Sequence, residues 1–334
     1  MQYGLDMKTT LVPRLGRNVS LVGLGCWQLG GDWGDVDEDR SQAILHAAAD
    51  AGTTFFDTAD VYGDGRSEKS IGIFLKDREA SGEIVVATKM GRRANPHVEE
   101  AYTLDNFRRW TDRSRENLGV DTLDLVQLHC PPSEVMHKPQ TFDDLRTLVQ
   151  EGRVASWGVS VETCQDAIDV LGEPDVASIQ IILNIFRRKP LERVTGMAAE
   201  AGAAIIARVP LASGLLSGKY DASTTFAADD HRTYNRDGSA FDVGETFAGV
   251  PFEVGVEAAK KVAALTPEGW TTAQLALAWI GATGVATMIP GARNPEQAVL
   301  NAQAGSLTHI DDATLAELAA IYNNDIRQHV HSRW

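Results

Sequence analysis

The sequence predicts an α/β fold in which eight strands alternate with eight helices as a (β/α)₈ TIM barrel. Apolar, β-branched runs recur along the chain, with amphipathic segments between them. This alternation is typical of a parallel sheet with crossover helices. About eight such units fit into 334 residues, which we interpret as a single domain over 1–334. Eight units in this length favour the closed barrel over an open doubly wound sheet.

The elements follow one another in a regular order. Two short alternating pieces within residues 8–23 flank "RLGRN" and predict an N-terminal β-hairpin that plugs one mouth of the barrel. Strands are predicted at 20–25, 53–58, 84–89, 123–129, 155–160, 178–183, 203–209 and 285–290, and helices near 37–51, 67–78, 104–119, 141–152, 163–171, 191–201, 271–282 and 295–304. After strand seven, residues 210–252 are polar and rich in Gly, Ser, Asp and Thr, which predicts a long functional loop.

One stretch favours the open-sheet alternative. "VGLGCWQLGG" resembles a dinucleotide-binding fingerprint, but Gln28 stands at the third glycine position. We therefore interpret Gly23 and Gly25 as a strand end that leads into a loop. That loop carries Trp27 and Trp33, which are candidates for the wall of a substrate pocket or for simple loop packing.

The charge and the cysteine content of the chain indicate which kinds of binding partner to expect. The formal net charge of −15 argues against general binding to nucleic acid or to an anionic membrane. The three cysteines are far apart, which predicts reduced thiols in a cytoplasmic protein. The first residues lack the apolar segment of a signal peptide, and no apolar run is long enough to span a bilayer. We expect a small-molecule partner, and the oligomeric state stays open.

Four chemically active side chains lie at the ends of neighbouring predicted strands. Asp57 and Tyr62 follow the second strand, Lys89 ends the third and His129 ends the fourth. The carboxyl ends of barrel strands meet at one mouth, where active sites lie. Each residue also has an ordinary interpretation, as a turn former, a core aromatic, a lysine that reaches solvent or a core histidine. A lysine ending a buried strand needs a carboxylate, and Asp57 on the adjacent strand is the natural partner.

Together these groups suit a carbonyl that becomes an alkoxide. A nearby ammonium lowers the pKa of a phenol from about 10, which would make Tyr62 a better proton donor. A neutral or charged imidazole at His129 would orient the substrate oxygen. The sequence shows no cysteine pair, metal-ligand cluster or flavin motif as an electron source. A bound hydride donor would supply the electrons.

Six stretches together carry a family pattern: "FFDTADVYGDGRSEKSIG", "VVATKMG", "DLVQLH", "WGVS", "VPLASGLLSGKY" and "IPGARNPEQAVLNAQAG". On these motifs the chain resembles the aldo-keto reductase superfamily over nearly its whole length. The resemblance implies an NAD(P)H-dependent carbonyl reductase on a (β/α)₈ barrel. It also implies a catalytic tetrad in which Tyr62 is the general acid, Lys89 lowers its pKa, Asp57 holds Lys89 and His129 orients the carbonyl.

The end of the last strand points to the cofactor. Asn294 is a candidate N-cap and Pro295 a candidate first helical residue, so a helix dipole there would face an anion. Arg293 suits a phosphate monoester, and Gln297 and Asn301 share one helical face that suits an adenine edge. The resemblance assigns these contacts to the adenosine 2′-phosphate and the adenine. We therefore expect NADPH or NADP⁺, with NADH as the alternative.

The resemblance also implies contacts to the rest of the cofactor. Ser160 and Gln180 would hold the nicotinamide carboxamide, although Val161 stands where the family often has Asn, and Asn184 would compensate. Arg208 replaces an aromatic residue that stacks on the nicotinamide, and its charge would favour the reduced cofactor. The further predicted cofactor contacts are Pro210, Leu211, Ser213, Gly214, Leu216, Lys219 and Gly291.

Several assignments stay open at this stage. Arg92 and Arg93 either attract an anionic substrate or are solvated surface, and the segment 321–334 either closes over the mouth or is a polar frayed tail. The leading function is reduction of an aldehyde or ketone to an alcohol. The alternatives are an NAD(P)⁺-dependent sugar or alcohol dehydrogenase, a cofactor-binding regulatory subunit, and a phosphate-binding barrel lyase or isomerase.

Overall fold

The predicted strands form one parallel sheet in the computed structural model, which describes residues 7–30, 37–79, 82–307 and 309–334. The hairpin strands β1 (Thr9–Val12) and β2 (Arg17–Ser20) pair antiparallel in front of this sheet. The sheet strands are β3 (Leu24–Gly25), β4 (Phe55–Asp57), β5 (Val85–Met90), β6 (Leu123–His129), β7 (Val154–Ser160), β8 (Ser178–Ile182), β9 (Ala204–Arg208) and β10 (Thr287–Met288). Trp33 lies outside the described residues.

Among the described residues each sheet strand pairs in parallel with the next one along the chain. Two isolated parallel bridges, Val22 with Met288 and Gly25 with Gly291, bring the first and last strands together. The sheet therefore forms a nearly closed (β/α)₈ barrel with an N-terminal hairpin, which confirms the predicted fold class. The described strands are shorter than predicted at both edges, where isolated bridges replace a continuous ladder.

Helices surround this barrel. They are α1 (Glu38–Asp50), α2 (Arg66–Asp77), α3 (Leu104–Leu118), α4 (Ser133–Met136), α5 (Pro139–Gln150), α6 (Cys164–Val170), α7 (Val194–Ala201), α8 (His231–Tyr234), α9 (Phe252–Ala264), α10 (Thr272–Gly281), α11 (Pro295–Gln303), α12 (Asp312–Ile321) and α13 (Arg327–Val330). All eight predicted helices are present, with bounds that shift by a few residues. The sequence analysis missed α9, although Phe252, Val256, Ala259 and Val262 repeat at helical spacing and are buried. None of the helices in the described ranges is long and apolar enough to cross a bilayer.

The hydrophobic core has two parts. Strand residues that face the helices form the larger part, and a smaller cluster fills the barrel interior. Val12 and Val19 of the hairpin belong to this inner cluster with Phe55, Val85 and Leu125. The hairpin therefore closes the lower mouth of the barrel, as expected from the sequence.

Along each strand, the side chains that face the barrel interior change from apolar to polar toward the carboxyl end. In β5 the inner core takes Val85 and Ala87, so Lys89 follows on the same face because strand side chains alternate. The same two-residue alternation places polar side chains on the inner face of the other strands. Asp57 follows Phe55, Gln127 and His129 follow Leu125, and Arg208 follows Ile206. The polar side chains at the upper ends of the strands thus converge inside one mouth.

The segment predicted as a possible polar tail is folded. It contains α12, a π-helical turn at residues 322–326 and α13. Trp334 is only 5 % exposed, stacks with the Arg187 guanidinium at 3.5 Å and donates a hydrogen bond to Asp242 Oδ1 at 3.0 Å. The frayed-tail alternative is wrong because buried Ile321, Ile326 and Val330 anchor the segment between its polar residues.

Candidate active site

Asp57, Lys89 and Tyr62 form a line at the upper end of β4 and β5. Lys89 Nζ donates to Asp57 Oδ1 at 2.5 Å and to the Thr58 carbonyl at 2.7 Å, and lies 3.5 Å from Tyr62 Oη. Lys89 is 1 % exposed. A buried ammonium of this kind is stable only with a carboxylate partner, so the ion pair fixes the position of Nζ beneath the phenol.

The electrostatics of this line favour a charged lysine and a neutral phenol. Burial alone would lower the pKa of Lys89, but Asp57 and Tyr62 outweigh burial and raise it. Burial raises the pKa of Tyr62, and the charge of Lys89 opposes this effect. The predicted effect of Lys89 is therefore present, but it does not outweigh burial, so the expectation of a net lowered phenol pKa is wrong for this structure.

His129 lies beside the phenol and is neutral. Its ring meets the Tyr62 ring edge to face at a centroid distance of 5.8 Å. Burial, with the positive charges of Arg92 and Lys89, holds the pKa of His129 well below its usual value. Its Nδ1 is buried and has no hydrogen-bond partner among the described residues. A neutral imidazole offers one N–H donor and one lone pair, so His129 can orient a carbonyl oxygen.

The glycine next to Tyr62 permits a close approach of two loops. A Cβ on Gly63 would lie 2.2 Å from the Gly30 carbonyl oxygen, and Gly63 has a φ of +57°. Only glycine accepts both conditions without strain. The contact brings the loop after β3 over the phenol, and Trp27 stacks on Tyr62 at a ring distance of 5.9 Å.

A cavity of about 380 Å³ opens above these residues. Trp27, Asp57 and Tyr62 line one end, and Arg293 lines another part of the wall. The other predicted residues that line it are Gln180, Arg208, Pro210, Leu211, Ser213, Gly214, Lys219, Gly291, Gln297 and Asn301. Most of the predicted cofactor contacts therefore share one continuous space with the phenol.

Several predicted contacts have other roles in the structure. The Leu216 side chain is fully buried in the core and its amide donates to the Leu211 carbonyl, so Leu216 does not line the cavity. Ser213 Oγ donates to the Glu245 carbonyl at 3.1 Å, so this hydroxyl holds a loop and is not free for a pyrophosphate. Gln180 Nε2 donates to Asp57 Oδ2 at 2.7 Å, and Ser160 Oγ donates to Gln180 Oε1 at 3.4 Å.

Asn184 does not replace the missing amide at position 161. Its Nδ2 donates to the Val209 carbonyl at 2.9 Å, and its Oδ1 accepts from the Phe186 amide at 2.8 Å. Both polar ends of Asn184 are therefore engaged in holding the turn after β8. These contacts of Asn184 do not replace the side-chain amide that Val161 lacks. The sequence-based expectation that Asn184 compensates is therefore wrong.

The N-terminus of α11 has the predicted capped geometry. Asn294 Oδ1 accepts from the Gln297 amide at 2.8 Å, and Pro295 occupies the first helical position. Gln297 Oε1 accepts from the Arg293 amide at 2.9 Å, and Asn301 Nδ2 donates to the Gly291 carbonyl at 3.1 Å. Arg293 is 44 % exposed in its side chain and lies 3.8 Å from Asp230 Oδ2. A guanidinium thus stands at the positive end of a helix dipole, as an anion site requires.

Arg208 belongs to a group of four charges, which we call the charge cluster: Arg92, Glu162, Arg208 and Glu245. Arg208 Nη2 donates to Glu162 Oε2 at 2.8 Å, and Arg92 Nη2 donates to Glu245 Oε1 at 2.7 Å and to Glu162 Oε1 at 3.2 Å. Each guanidinium therefore has a carboxyl partner, and burial raises the pKa of Glu162. The expected bias of Arg208 toward the reduced cofactor took no account of these partners and stays a prediction, and Arg92 is an ion-pair partner.

Arg93 likewise has partners that the sequence analysis did not predict. Its Nη1 donates to Asp64 Oδ1 at 2.6 Å and to the Asp60 carbonyl at 3.2 Å. The Arg93 side chain is 28 % exposed and that of Asp64 is 76 % exposed, so Arg93 lies in a surface ion pair, in line with the solvated-surface alternative.

The sequence analysis missed Glu245, Arg232 and Gln28, all of which line the cavity. Glu245 and Arg232 lie in the long loop, where neither helical nor strand periodicity assigns a position. The length of that loop was the only signal. Gln28 was considered only as a departure from a glycine pattern. Its side chain occupies the space that a Cβ on Gly291 would need.

Asp60 is a buried carboxyl beside the site. It is fully buried, and neither carboxyl oxygen has a hydrogen-bond partner among the described residues. Burial, followed by the charge of Glu68, raises its pKa from 3.8 to about 8. The protonated carboxyl of Asp60 stabilises the folded protein relative to the charged carboxylate. Because the folded-state pKa is raised, this stabilisation is fully present below the pKa of the unfolded state and is lost as pH rises through about 8.

Asp60→Asn is therefore expected to stabilise the protein more at pH 8 than at pH 5. The advantage of the variant grows by up to about 1.4 kcal/mol per pH unit in this interval. Urea unfolding of both proteins at several pH values measures the difference. Asp105→Asn, which changes an exposed carboxylate on α3, is measured in parallel as the control. A difference between wild type and Asp60→Asn that does not change with pH would contradict the assignment.

Comparison with known proteins identifies the family. The model of the Aldo/keto reductase family matches residues 21–323. The chain belongs to this family. A relative in Schizosaccharomyces pombe, the NADP(+) aldo-keto reductase yakc, is 29 % identical over 315 residues, which cover 92 % of this chain and 89 % of that protein. Family membership supports an oxidoreductase activity for this chain.

Solved structures have the same fold. A glycerol dehydrogenase from Gluconobacter oxydans is 28 % identical, with a TM-score of 0.75 and coverage of 96 % of each chain. An aldo-keto reductase from Klebsiella pneumoniae in complex with NADPH is 23 % identical, with a TM-score of 0.69 and coverage of 95 % of each chain. These likenesses show that the chain shares its fold with both proteins.

Proposed function

We propose that this chain catalyses NADPH-dependent reduction of an aldehyde or ketone to an alcohol. The observation that carries the proposal is the Asp57–Lys89–Tyr62 line at one end of a cavity that also reaches Arg293. The cavity thus contains a proton donor for a carbonyl substrate. It also contains a positively charged site that can bind the phosphate groups of an extended hydride donor.

The residues present fit such a cofactor. Arg293 and Lys219 both line the cavity, and the α11 N-terminus adds its dipole at Arg293. Arg208 lines the same cavity, and its Nε is buried without a hydrogen-bond partner among the described residues. The cations would hold phosphate groups, and the uncharged wall at Pro210 and Leu211 would contact a flat ring.

The protein groups divide the chemistry among them. When bound, NADPH supplies a hydride to the carbonyl carbon. Tyr62 Oη donates its proton to the carbonyl oxygen, Lys89 stabilises the phenolate that remains, and Asp57 keeps Lys89 in place. The neutral His129 donates a hydrogen bond that orients the carbonyl. The cavity walls, Trp27 among them, exclude water from the reacting atoms.

The cofactor preference predicts a selective effect at position 293. Arg293→Ala is expected to weaken NADPH binding by about 10- to 100-fold, because one charge-assisted phosphate contact is worth about 1.5–3 kcal/mol. NADH lacks the 2′-phosphate, so its affinity is expected to change less than about threefold. Quenching of tryptophan fluorescence measures both dissociation constants. Arg109→Ala, an exposed change on α3, is the control, and equal weakening of NADPH and NADH would contradict the assignment.

The reverse reaction is the second candidate. The 28 % identity to a glycerol dehydrogenase favours an NAD(P)⁺-dependent alcohol oxidation on the same residues, with the Tyr62 phenolate, stabilised by Lys89, as the proton acceptor. Steady-state kinetics in both directions distinguish the two, because the proposal predicts that reduction is the more efficient near neutral pH. Turnover of any carbonyl substrate would argue against a purely regulatory subunit, and dependence on nicotinamide would argue against a lyase or isomerase.

We also propose a cytoplasmic location, supported by three free cysteines.

A further inference from the structure

We propose that Trp334 is a positioning residue of the proposed active site, because it clamps the segment 242–249 that carries Glu245 to the cavity wall. The inference rests on the proposed function. Trp334 follows α13 and is not among the described residues that line the cavity, whereas Glu245 is. Any influence of Trp334 on the reaction must therefore pass through the segment that it contacts.

The indole of Trp334 packs against two glycines of this segment. Trp334 is 5 % exposed. A Cβ on Gly249 would lie 2.4 Å from Trp334 Cη2, and a Cβ on Gly244 would lie 3.2 Å from Trp334 Cε2. The first distance is too short for any side chain, so the missing side chain at Gly249 makes room for the ring. One indole thus adjoins the segment near both of its ends.

Polar contacts complete the clamp. Trp334 Nε1 donates to Asp242 Oδ1 at 3.0 Å, and the same oxygen accepts from the Gly244 amide at 2.6 Å. The Arg187 guanidinium stacks on the Trp334 ring at 3.5 Å from its centroid, and Arg187 Nη1 donates to the Ala248 carbonyl at 3.1 Å. A guanidinium over an indole face is an attractive pair, so Trp334 also fixes the donor that holds Ala248.

The backbone of the segment depends on such external contacts. It consists of two three-residue 3₁₀ turns, Val243–Glu245 and Phe247–Gly249. Phe247 and Ala248 have φ angles of +53° and +58°, a region that is unfavourable for residues other than glycine. Backbone of this kind persists only where its surroundings hold it. Loss of the Trp334 ring is therefore expected to release the segment.

The position of the segment determines the position of Glu245. The Glu245 carbonyl accepts from Ser213 Oγ at 3.1 Å, and its Oε1 accepts from Arg92 at 2.7 Å. Glu245 lines the same cavity as Tyr62. Burial raises the pKa of Tyr62 most, and the charge of Glu245 raises it further. A displaced segment therefore moves a carboxylate that acts on the proposed proton donor.

Hydrogen exchange followed by mass spectrometry tests the clamp without any activity. In Trp334→Ala the amides of residues 242–249 are expected to exchange at least about tenfold faster than in wild type. Trp110→Ala is the matched control, because Trp110 is 6 % exposed and packs on Tyr102 and Phe107. It is expected to leave the exchange of 242–249 within about twofold of wild type. Unchanged exchange in Trp334→Ala, or equal acceleration in both variants, would overturn the inference.

A double-mutant cycle on kcat/KM tests whether the clamp acts through Glu245. The substrates are glyceraldehyde and butanal with NADPH. Trp334→Ala and Glu245→Ala are each expected to lower kcat/KM by about tenfold or more, because small displacements at a reacting site are costly. In the Glu245→Ala background, Trp334→Ala is expected to cost less than about threefold. Losses that add in full, or no loss in either single variant, would overturn the inference.

A conservative variant separates the ring from the rest of the side chain. Trp334→Phe keeps an aromatic face for Arg187 and loses only the donor to Asp242. It is expected to recover most of the kcat/KM that Trp334→Ala loses, to within about fivefold of wild type. A Trp334→Phe enzyme that is no more active than Trp334→Ala would contradict a clamp built on the stacked ring.

Failure of the proposed function is distinguishable from failure of this inference. If wild type reduces neither aldehyde with NADPH, the proposed function is overturned and the role of Trp334 in the reaction falls with it. Hydrogen exchange then still decides whether Trp334 holds the segment. If wild type is active and either the exchange or the cycle gives the opposing result, the inference is wrong and the proposed function stands.

Discussion

Tyr62→Phe is expected to lower kcat for carbonyl reduction by about two to four orders of magnitude, the range for loss of a general acid. The phenol is the group with an exchangeable proton that stands 3.5 Å from Lys89 Nζ at the cavity. Phenylalanine keeps the ring that stacks on Trp27 and meets His129, so the cavity keeps its shape. Single-turnover measurements at saturating NADPH separate this loss from any effect on binding.

The control for this variant is cofactor affinity. The dissociation constant of NADPH is expected to change less than about threefold in Tyr62→Phe, because Lys219 and Arg293 are untouched. Lys89 keeps its bonds to Asp57 and to the Thr58 carbonyl, so folding is expected to persist. A Tyr62→Phe enzyme with the wild-type kcat would assign the proton to another donor.

Lys89→Met is expected to remove activity and to destabilise the fold by about 3–5 kcal/mol, the typical effect of leaving a buried charge without its partner. Asp57 is 3 % exposed, and its remaining donors would be Gln180 at 2.7 Å and Gln127 at 3.4 Å. Urea unfolding measures the loss. The deficit is expected to shrink as pH falls, because an unpaired buried carboxyl takes up a proton more readily in the folded state than in the unfolded state.

The double variant Asp57→Asn/Lys89→Met separates stability from catalysis. It removes both charges, so it is expected to regain most of the lost stability and none of the activity. The remaining inactivity would reflect the missing ammonium beneath Tyr62. A Lys89→Met protein as stable as wild type at neutral pH would show that the ion pair contributes little to the fold.

Strand periodicity made the positions of three proposed catalytic residues predictable. Asp57, Lys89 and His129 end apolar runs, and alternation along each strand places them on the inner face above Phe55, Ala87 and Leu125. A step of two residues requires no knowledge of the rest of the chain. The N-cap at Asn294 was predictable for a similar reason, since its partner Gln297 is three residues away.

The rest of the cavity depends on contacts between distant segments. Arg208 was located correctly at the end of β9, but its partners Glu162 and Glu245 come from two other loops. Glu245 is held by Ser213 Oγ through its carbonyl. Trp334 bonds to Asp242 in the same loop. Such pairings have no local pattern, so the acidic partners of Arg208 could not be predicted from the sequence.

Single-turnover reduction with NADPH deuterated at C4 of the nicotinamide tests most directly whether this chain reduces a carbonyl with a hydride from NADPH and a proton from Tyr62. The enzyme is mixed with the labelled cofactor and an aldehyde panel that contains glyceraldehyde and butanal, and the products are analysed by mass spectrometry. We expect an alcohol with deuterium on the former carbonyl carbon, formed by wild type and nearly lost in Tyr62→Phe. Binding of NADPH with no label in any alcohol, or label transfer that is equal in wild type and Tyr62→Phe, would contradict it.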